Sequence, residues 1–388
     1  MKIVIIGQGY VGSALSIAAS KAGHTVIGFD TNPKVISSMK EKNLPSSNYQ
    51  ATNSEADIAD QEVYIIAVPT PLDQNNLPDL SYLKQASQLV GRAATKGALV
   101  INESTSYPGT LREIVITEIE KVNKSQFLYA SAPERIDPAN VKWSIKNTPR
   151  ILAGINAQST TAALEFYKTI CDDVTAVSSP EVAESAKLFE NTFRQVNIAL
   201  VNELAQISNK LGISATEVIQ AAATKPFGFM KFNPGLGVGG HCIPIDPIYL
   251  AQKAEALGAP AKFIRQANLV NEQMPFYVLQ RLKELLDGNL KNKKICLVGL
   301  SYKADVIDLR QSPSLVLLKE LQNSGANVVF HDEVVQDFND VKSAPLTPNG
   351  FDLTLVAIRH NDLAVDKVIA SAPIVFDCTG SITGAHQL

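Results

Sequence analysis

Lys2-Ile3-Val4-Ile5-Ile6-Gly7-Gln8-Gly9-Tyr10-Val11-Gly12 opens the chain, and its reading decides the fold. The unbroken apolar run reads as a strand buried on both faces. Glycines at 7, 9 and 12 then turn the chain into an alanine-rich helix, and His24-Thr25-Val26-Ile27-Gly28-Phe29-Asp30 is a second strand ending on an acid. Strand, glycine turn, helix and acid-ended strand make a βαβ unit that binds a dinucleotide. The glycines let backbone approach the pyrophosphate, which sits on the helix N-terminus. Asp30 accepts hydrogen bonds from the adenosine ribose and repels a 2′-phosphate, so NAD is expected rather than NADP. Gly7, Gln8, Gly9, Tyr10, Val11, Gly12 and Asp30 are thus cofactor residues.

Working outward, further strands read at 63–68, 98–102 and 127–130, each closing on a polar or proline-rich loop. Ligands of open α/β sheets bind at such carboxyl ends. Pro69, Thr70, Ser104 and Thr105 therefore join the cofactor set, and Glu134 and Arg135 stand on the next loop. From Ser179 to Leu211 apolar residues recur at helical spacing without internal glycine or proline. A second helical stretch covers about 260–286, and Asn289 to Asn292 reads as a linker.

The opening theme then recurs. Lys294-Ile295-Cys296-Leu297-Val298-Gly299 echoes residues 2–7, and Asn327-Val328-Val329-Phe330-His331-Asp332 echoes the strand ending at Asp30. This half lacks GxGxxG and carries an insert, Ser301 to Pro313, before its helix. The fold class expected is α/β, with two Rossmann-like doubly wound domains joined by a long central helix region. The domains are placed at 1–178, 179–288 and 289–388.

The 388 residues carry a formal charge of -3, which gives no electrostatic reason to expect nucleic acid or an anionic membrane. The first apolar run is too short for a signal peptide or a membrane span, and the protein is expected to be cytoplasmic. Cys171, Cys242, Cys296 and Cys378 are scattered without a CxxC pair, so neither a metal site nor a disulfide framework is expected.

Cys242 stands apart, in Gly239-Gly240-His241-Cys242-Ile243-Pro244-Ile245-Asp246-Pro247. Asp246-Pro247 reads as a helix cap with proline at the first helical position. A thiol just ahead of that helix lies in a field favouring thiolate. Lys187 and Asn191, four apart on the long helix, project from one face.

These pieces together resemble the UDP-sugar 6-dehydrogenase family, which oxidises the C6 alcohol of a nucleotide sugar to a carboxylate with two NAD. The markers are the glycine turn, Ser104-Thr105, Pro133-Glu134-Arg135, Lys187 with Asn191, Gly239-Gly240-His241-Cys242, and Gly299-Leu300-Ser301-Tyr302-Lys303 with Asp308-Leu309-Arg310. The resemblance implies an NAD-binding first domain, a central domain for dimerisation and catalysis, and a UDP-sugar-binding third domain in a homodimer. It makes Cys242 the nucleophile that traps the aldehyde, Lys187 and Asn191 donors to the C6 oxygen, Glu134 an aid to proton transfer, and Thr105 the holder of a water. Asp246 serves as helix cap, as water-orienting base, or as both. Arg310 matches an NAD contact. Arg194 and Lys303 reach for the sugar nucleotide, and Arg135, Phe232, Asn233, Gly239 and Tyr302 complete the substrate set.

Family members taking UDP-glucose often carry a second acid where Pro138 stands. Lys225-Pro226-Phe227-Gly228-Phe229-Met230 looks most like the branch acting on UDP-N-acetylglucosamine. UDP-N-acetylmannosamine and UDP-glucose are the alternatives. Beyond them stand a two-electron β-hydroxyacid dehydrogenase and a nucleotide sensor without catalysis.

Overall fold

A computed structural model describes residues 1–41, 48–75, 77–137, 140 and 142–388. Two compact units make up the chain: Met1–Glu190 with Ile248–Ala259, and Asn191–Pro247 with Pro260–Leu388.

The first unit is built on strands β1 (Lys2–Ile6), β2 (Thr25–Phe29), β3 (Tyr49–Thr52), β4 (Val63–Ile66), β5 (Leu99–Asn102), β6 (Leu128–Ser131), β7 (Arg150–Gly154) and β8 (Val174–Ala176). They lie in the order β3-β2-β1-β4-β5-β6-β7-β8. All neighbours are parallel except β6 and β7. The run of Ile3, Val4 and Ile5, each 0% exposed, has the sequence of a strand covered on both faces. Ile3, Ile5, Leu15, Val26 and Ile65 share one core with Phe166 and Tyr167. The order reverses between β1 and β4, so the loops after these strands flank the crevice where doubly wound sheets take ligands.

The second unit carries β9 (Lys294–Val298), β10 (Asn327–His331), the hairpin β11 (Asp337–Phe338) and β12 (Val341–Lys342), then β13 (Leu353–Val356), β14 (Ile374–Asp377) and β15 (His386–Gln387). Its parallel sheet has the order β10-β9-β13-β14-β15. The reversal falls between β9 and β13, the other common doubly wound arrangement. Two Rossmann-like sheets, as expected, therefore form the α/β fold.

The long helix runs Pro180–Leu211. Proline at its first position needs no N–H there, and Glu181 complements the positive end. Gly212, with φ +68°, ends it, and Ile213 N–H returns to Ser208 O at 3.0 Å in a Schellman closure. The helix Lys262–Leu285 continues through Pro275, which removes the N–H that would have bonded to Asn271 O. That carbonyl is met by the glycine loop described below.

Candidate active site

In the first unit the opening motif does what its glycines require. Gly7 has φ +92°, and a Cβ there would lie 2.5 Å from Ala67 O, so β1 and β4 end in near contact. A Cβ on Gly12 would sit 1.8 Å from Gly7 O, which makes glycine obligatory for the turn. Gly9 differs: nothing lies within 4 Å of its Cβ position. That space fronts the helix Tyr10–Lys21, whose cap receives no side-chain hydrogen bond, and it fits a cofactor diphosphate. Tyr10 is exposed and Val11 half-buried in this first turn.

Asp30 takes the N–H of Gln8 and of Asn32, both at 2.8 Å, while staying half-buried. Its carboxylate oxygens keep lone pairs for ribose hydroxyls. Gln8 is 3% exposed, and its side chain runs under the turn, donating to Ile5 O and accepting from Ser16 and Tyr49. Its part is to brace the turn from below.

At the carboxyl ends of β4 and β5 a hydroxyl staple joins the loops. Ser104 Oγ accepts from Val68 N at 2.9 Å and donates to Val68 O at 2.8 Å, and Thr70 Oγ1 donates to Thr105 O at 2.6 Å. Pro69 is exposed between them. The Thr105 side chain itself makes no hydrogen bond to another described residue.

Glu134 is committed on both oxygens. Oε1 accepts from Arg135 N and Ile136 N at 2.6 and 2.8 Å, and Oε2 accepts from the Arg150 guanidinium. Arg150, 3% exposed, also reaches Glu103 at 3.3 Å, and Glu103 accepts from the Tyr167 hydroxyl. Burial pushes the Glu103 carboxyl up to about 7 against the pull of Arg150. Glu134 thus acts first as an anchor for its loop. Arg150, Glu103 and Tyr167 escaped the sequence reading because no motif or spacing links them. Arg135 pairs with Glu190 at 2.7 Å, one turn past Lys187. Pro138, on which part of the substrate reading turned, lies outside the described residues.

Lys187 is 9% exposed and makes no hydrogen bond or ion pair with another described residue. A buried ammonium with its donors unspent is suited to receive negative charge developing on a substrate oxygen. One turn earlier Glu184 accepts from Gly109 N at 2.7 Å and Leu111 N at 3.0 Å, so the helix is fastened to the loop after Ser104-Thr105. Burial lifts this carboxyl to about 7.

The helix after the cysteine runs Asp246–Ala256. Asp246 is therefore its first residue rather than the cap before it: Ile245 N and Asp246 N both return to Cys242 O, at 3.1 and 2.8 Å. Cys242 begins that turn and keeps the helix N-terminal position read from the sequence. Asp246 is 3% exposed, and Asn191 Nδ2 donates to its Oδ2 at 2.5 Å, which joins two of the residues read as catalytic.

The glycines ahead of Cys242 are required by close approach. Gly237, φ +127°, lies so that a Cβ would meet Asn271 O at 2.7 Å, the carbonyl released by Pro275. A Cβ on Gly239 would be 2.6 Å from Tyr302 Cβ, and one on Gly240 would be 2.9 Å from the Tyr302 ring. Gly240 N donates to Arg310 O at 2.9 Å, so the insert after β9 grips the cysteine loop. The Arg310 guanidinium is held by Asp308 at 2.6 Å, which raises it above its ordinary value, and Cys242 lies within its electrostatic reach. A guanidinium there favours the thiolate.

Lys303 is half-buried on the same insert, Arg194 is exposed on the long helix, and Phe232 packs edge-on against Phe193 with Asn233 exposed beside it. A buried amide series also went unread. Gln195 bonds Asn268, Asn271 bonds Gln195 O, and Asn202 links Asn271 to Gly235 N, each at 2.9 to 3.1 Å. It ties the two helices to the glycine loop.

Comparison with known proteins matches three stretches of the chain to one family. The NAD binding domain of the UDP-glucose/GDP-mannose dehydrogenase family matches residues 1–171, its central domain 181–273, and its UDP binding domain 296–383. A UDP-N-acetyl-D-glucosamine 6-dehydrogenase of Pseudomonas aeruginosa is 33% identical over 93% of this chain and 91% of its own. A UDP-N-acetyl-D-mannosamine dehydrogenase of Methanocaldococcus jannaschii is 33% identical over 93% and 86%. The solved structure of a UDP-D-ManNAc dehydrogenase from Pyrococcus horikoshii superimposes with a TM-score of 0.89 at 29% identity, covering 100% of this chain and 98% of that one.

Proposed function

The chain belongs to the UDP-glucose/GDP-mannose dehydrogenase family, as an NAD-dependent UDP-sugar dehydrogenase, and we propose that it oxidises C6 of a UDP-N-acetylhexosamine, UDP-N-acetylglucosamine being the favoured epimer. The observation that carries this reading is the Asn191–Asp246 bond at the first residue of the helix that follows Cys242. It joins an amide to a carboxylate four residues on from a thiol, and these are the groups a four-electron alcohol oxidation needs.

The Gly7–Gly12 turn and Asp30 would hold NAD, which when bound would supply the hydride acceptor for each oxidation at C6. As the C6 hydroxyl gives up its proton to water, Lys187 donates to the oxygen and favours its alkoxide. The Cys242 thiolate adds to the aldehyde, forming a C–S bond and keeping the intermediate on the enzyme as a thiohemiacetal. Lys187 and Asn191 stabilise that oxyanion. A second hydride loss gives the thioester, and water oriented by Asp246 cleaves it, returning the thiol and releasing the uronic acid. With both Glu134 oxygens committed, Asp246 is the stronger candidate for handling that water.

The epimer rests on Lys225-Pro226-Phe227-Gly228-Phe229-Met230 and on Pro138 in place of a second acid. Relatives of the glucosamine and the mannosamine kind match equally, at 33% identity. NADH release should therefore be compared for UDP-glucose and the UDP forms of N-acetylglucosamine, N-acetylmannosamine and N-acetylgalactosamine. A preference for UDP-N-acetylglucosamine is expected; a preference for any of the others removes the epimer assignment.

A homodimer belongs to the same proposal. Val182, Phe189, Phe193, Leu200, Ile207 and Leu211 are exposed along the long helix, between 42% and 66%. At 100° per residue all six fall within about 40° of one another, a continuous apolar stripe that a second copy would cover. Leu200→Glu should then yield monomer by light scattering, while an unchanged mass for wild type and variant would remove this interface. Among the described residues no helix is long and apolar enough to cross a membrane, and we place the enzyme in the cytoplasm with its nucleotide substrates.

A further inference from the structure

The insert after β9 is anchored on either side of Lys303 by two buried residues that face each other. Leu300 N donates to Asp332 Oδ2 at 2.7 Å, and Asp305 N donates to His360 Nδ1 at 2.8 Å. Asp332 and His360 are each 1% exposed, with His360 Nε2 3.2 Å from Asp332 Oδ1. Because Nδ1 accepts, the ring proton is on Nε2 and points to the carboxylate side. The contact falls short of a full hydrogen bond, so the Nε2–H dipole faces the carboxylate at 3.2 Å without a well-aligned bond. Asp332 is itself fixed by Val334 N and Val335 N at 2.8 and 2.7 Å.

Asp305 stands in the left-handed region, φ +60°, where an ordinary residue needs support. Asn361 supplies it, donating to both Asp305 oxygens at 2.9 and 2.6 Å. Lys303 thus sits between two fixed points, and its neighbour Tyr302 lies on the Gly239-Gly240 pair. Asp332 and His360 are both buried, and their polar atoms are turned to backbone N–H groups or to each other.

We propose that Asp332 and His360 form a brace that holds residues 300–305 in the form that receives the nucleotide sugar, which makes His360 a positioning residue for substrate binding. The proposal rests on reading Lys303 as a substrate contact. Two substitutions separate the two ring nitrogens. Asparagine places an acceptor where Nδ1 stands and keeps the Asp305 bond, whereas glutamine reaches Asp332 and loses it.

His360→Gln and His360→Ala should raise the UDP-sugar KM about tenfold, the effect of losing one ordering hydrogen bond. The NAD KM and kcat should stay within about twofold, since the first unit is untouched. His360→Asn should restore the UDP-sugar KM. Hydrogen exchange of the peptide covering 300–306 should quicken in the Gln and Ala variants and be protected in the Asn variant.

Unchanged exchange in His360→Gln would overturn the brace. So would faster exchange with an unaltered UDP-sugar KM, or an equal rise in the NAD KM. Lys303→Ala provides the separate control. If it leaves the UDP-sugar KM unchanged while His360→Gln raises it, the reading of Lys303 falls and the brace stands.

Discussion

The two parallel sheets begin with the same turn and use it for different purposes. Gly7 and Gly299 both have positive φ, +92° and +87°, and in each a Cβ would collide with a carbonyl of the loop after the neighbouring strand, Ala67 or Ile358. The next N–H then bonds an acid at the end of the adjacent strand: Gln8 to Asp30 at 2.8 Å, Leu300 to Asp332 at 2.7 Å. From there they diverge. After Gly7 the helix starts at Tyr10, leaving its N-terminus open for a diphosphate. After Gly299 the chain spends residues 300–312 on an insert before the helix Pro313–Asn323. Asp30 stays half-buried, whereas Asp332 is sealed against three N–H groups and His360. One turn geometry presents backbone to a cofactor; the other spends its acid on fixing a loop that carries side chains.

That difference predicts where substitutions act. The largest effect belongs to Gly12→Ala, whose Cβ would stand 1.8 Å from Gly7 O. Relieving that overlap should cost on the order of 3 kcal/mol or more, read as a large fall in the thermal midpoint. Asp332→Asn should cost the second unit about 2 kcal/mol in denaturant, because an amide faces N–H groups with a donor. Burial raises the Asp332 carboxyl, but His360 and the backbone N–H groups outweigh it and hold it below 3.8. Its contribution is therefore present above 3.8 and lost as pH falls through the folded-state value. A wild-type second unit that keeps full stability there would contradict the sealed role.

Glu184, lifted from 4.5 to about 7, gives the first unit the opposite slope. Between these values the folded chain holds a proton that the unfolded chain has lost, so stability falls as pH rises. Glu184→Gln should flatten that decline, by about 1–3 kcal/mol across the window, in thermal scans at stepped pH. Asp30→Asn should raise the NAD KM roughly tenfold and relax discrimination against NADP, with the UDP-sugar KM unchanged. Smallest on the fold is Gly9→Ala. Its Cβ meets no protein atom within 4 Å, so the midpoint should hold while NAD binding weakens several-fold. A destabilised Gly9→Ala protein with normal NAD affinity would reverse the assignment of that space.

Local pattern made much of this legible. The strand at 2–6, the helix ending at Leu211 and the strand at 294–298 lie where the sequence puts them, because periodicity, proline and glycine there agree with the final packing. The echo of Asp30 in Asp332 was equally visible, but its different use was not. What seals Asp332 is His360, which comes from another strand's loop. Arg150 between Glu103 and Glu134 is hidden for the same reason: its partners are 47 and 16 positions away, and only the sheet order brings them together. Pro275 carried a readable signal, since a proline within a helix always frees a carbonyl, yet only the structure shows Gly237 placed against it.

The central claim is that Cys242 carries the second oxidation. Its most direct test is the NADH yield per UDP-N-acetylhexosamine consumed, for the wild-type enzyme and for Cys242→Ser. Two NADH and one uronic acid are predicted for the wild type, and for the variant a loss of four-electron turnover on the order of 10³-fold or more. A Cys242→Ser enzyme that still delivered two NADH per sugar at a comparable rate would contradict the account.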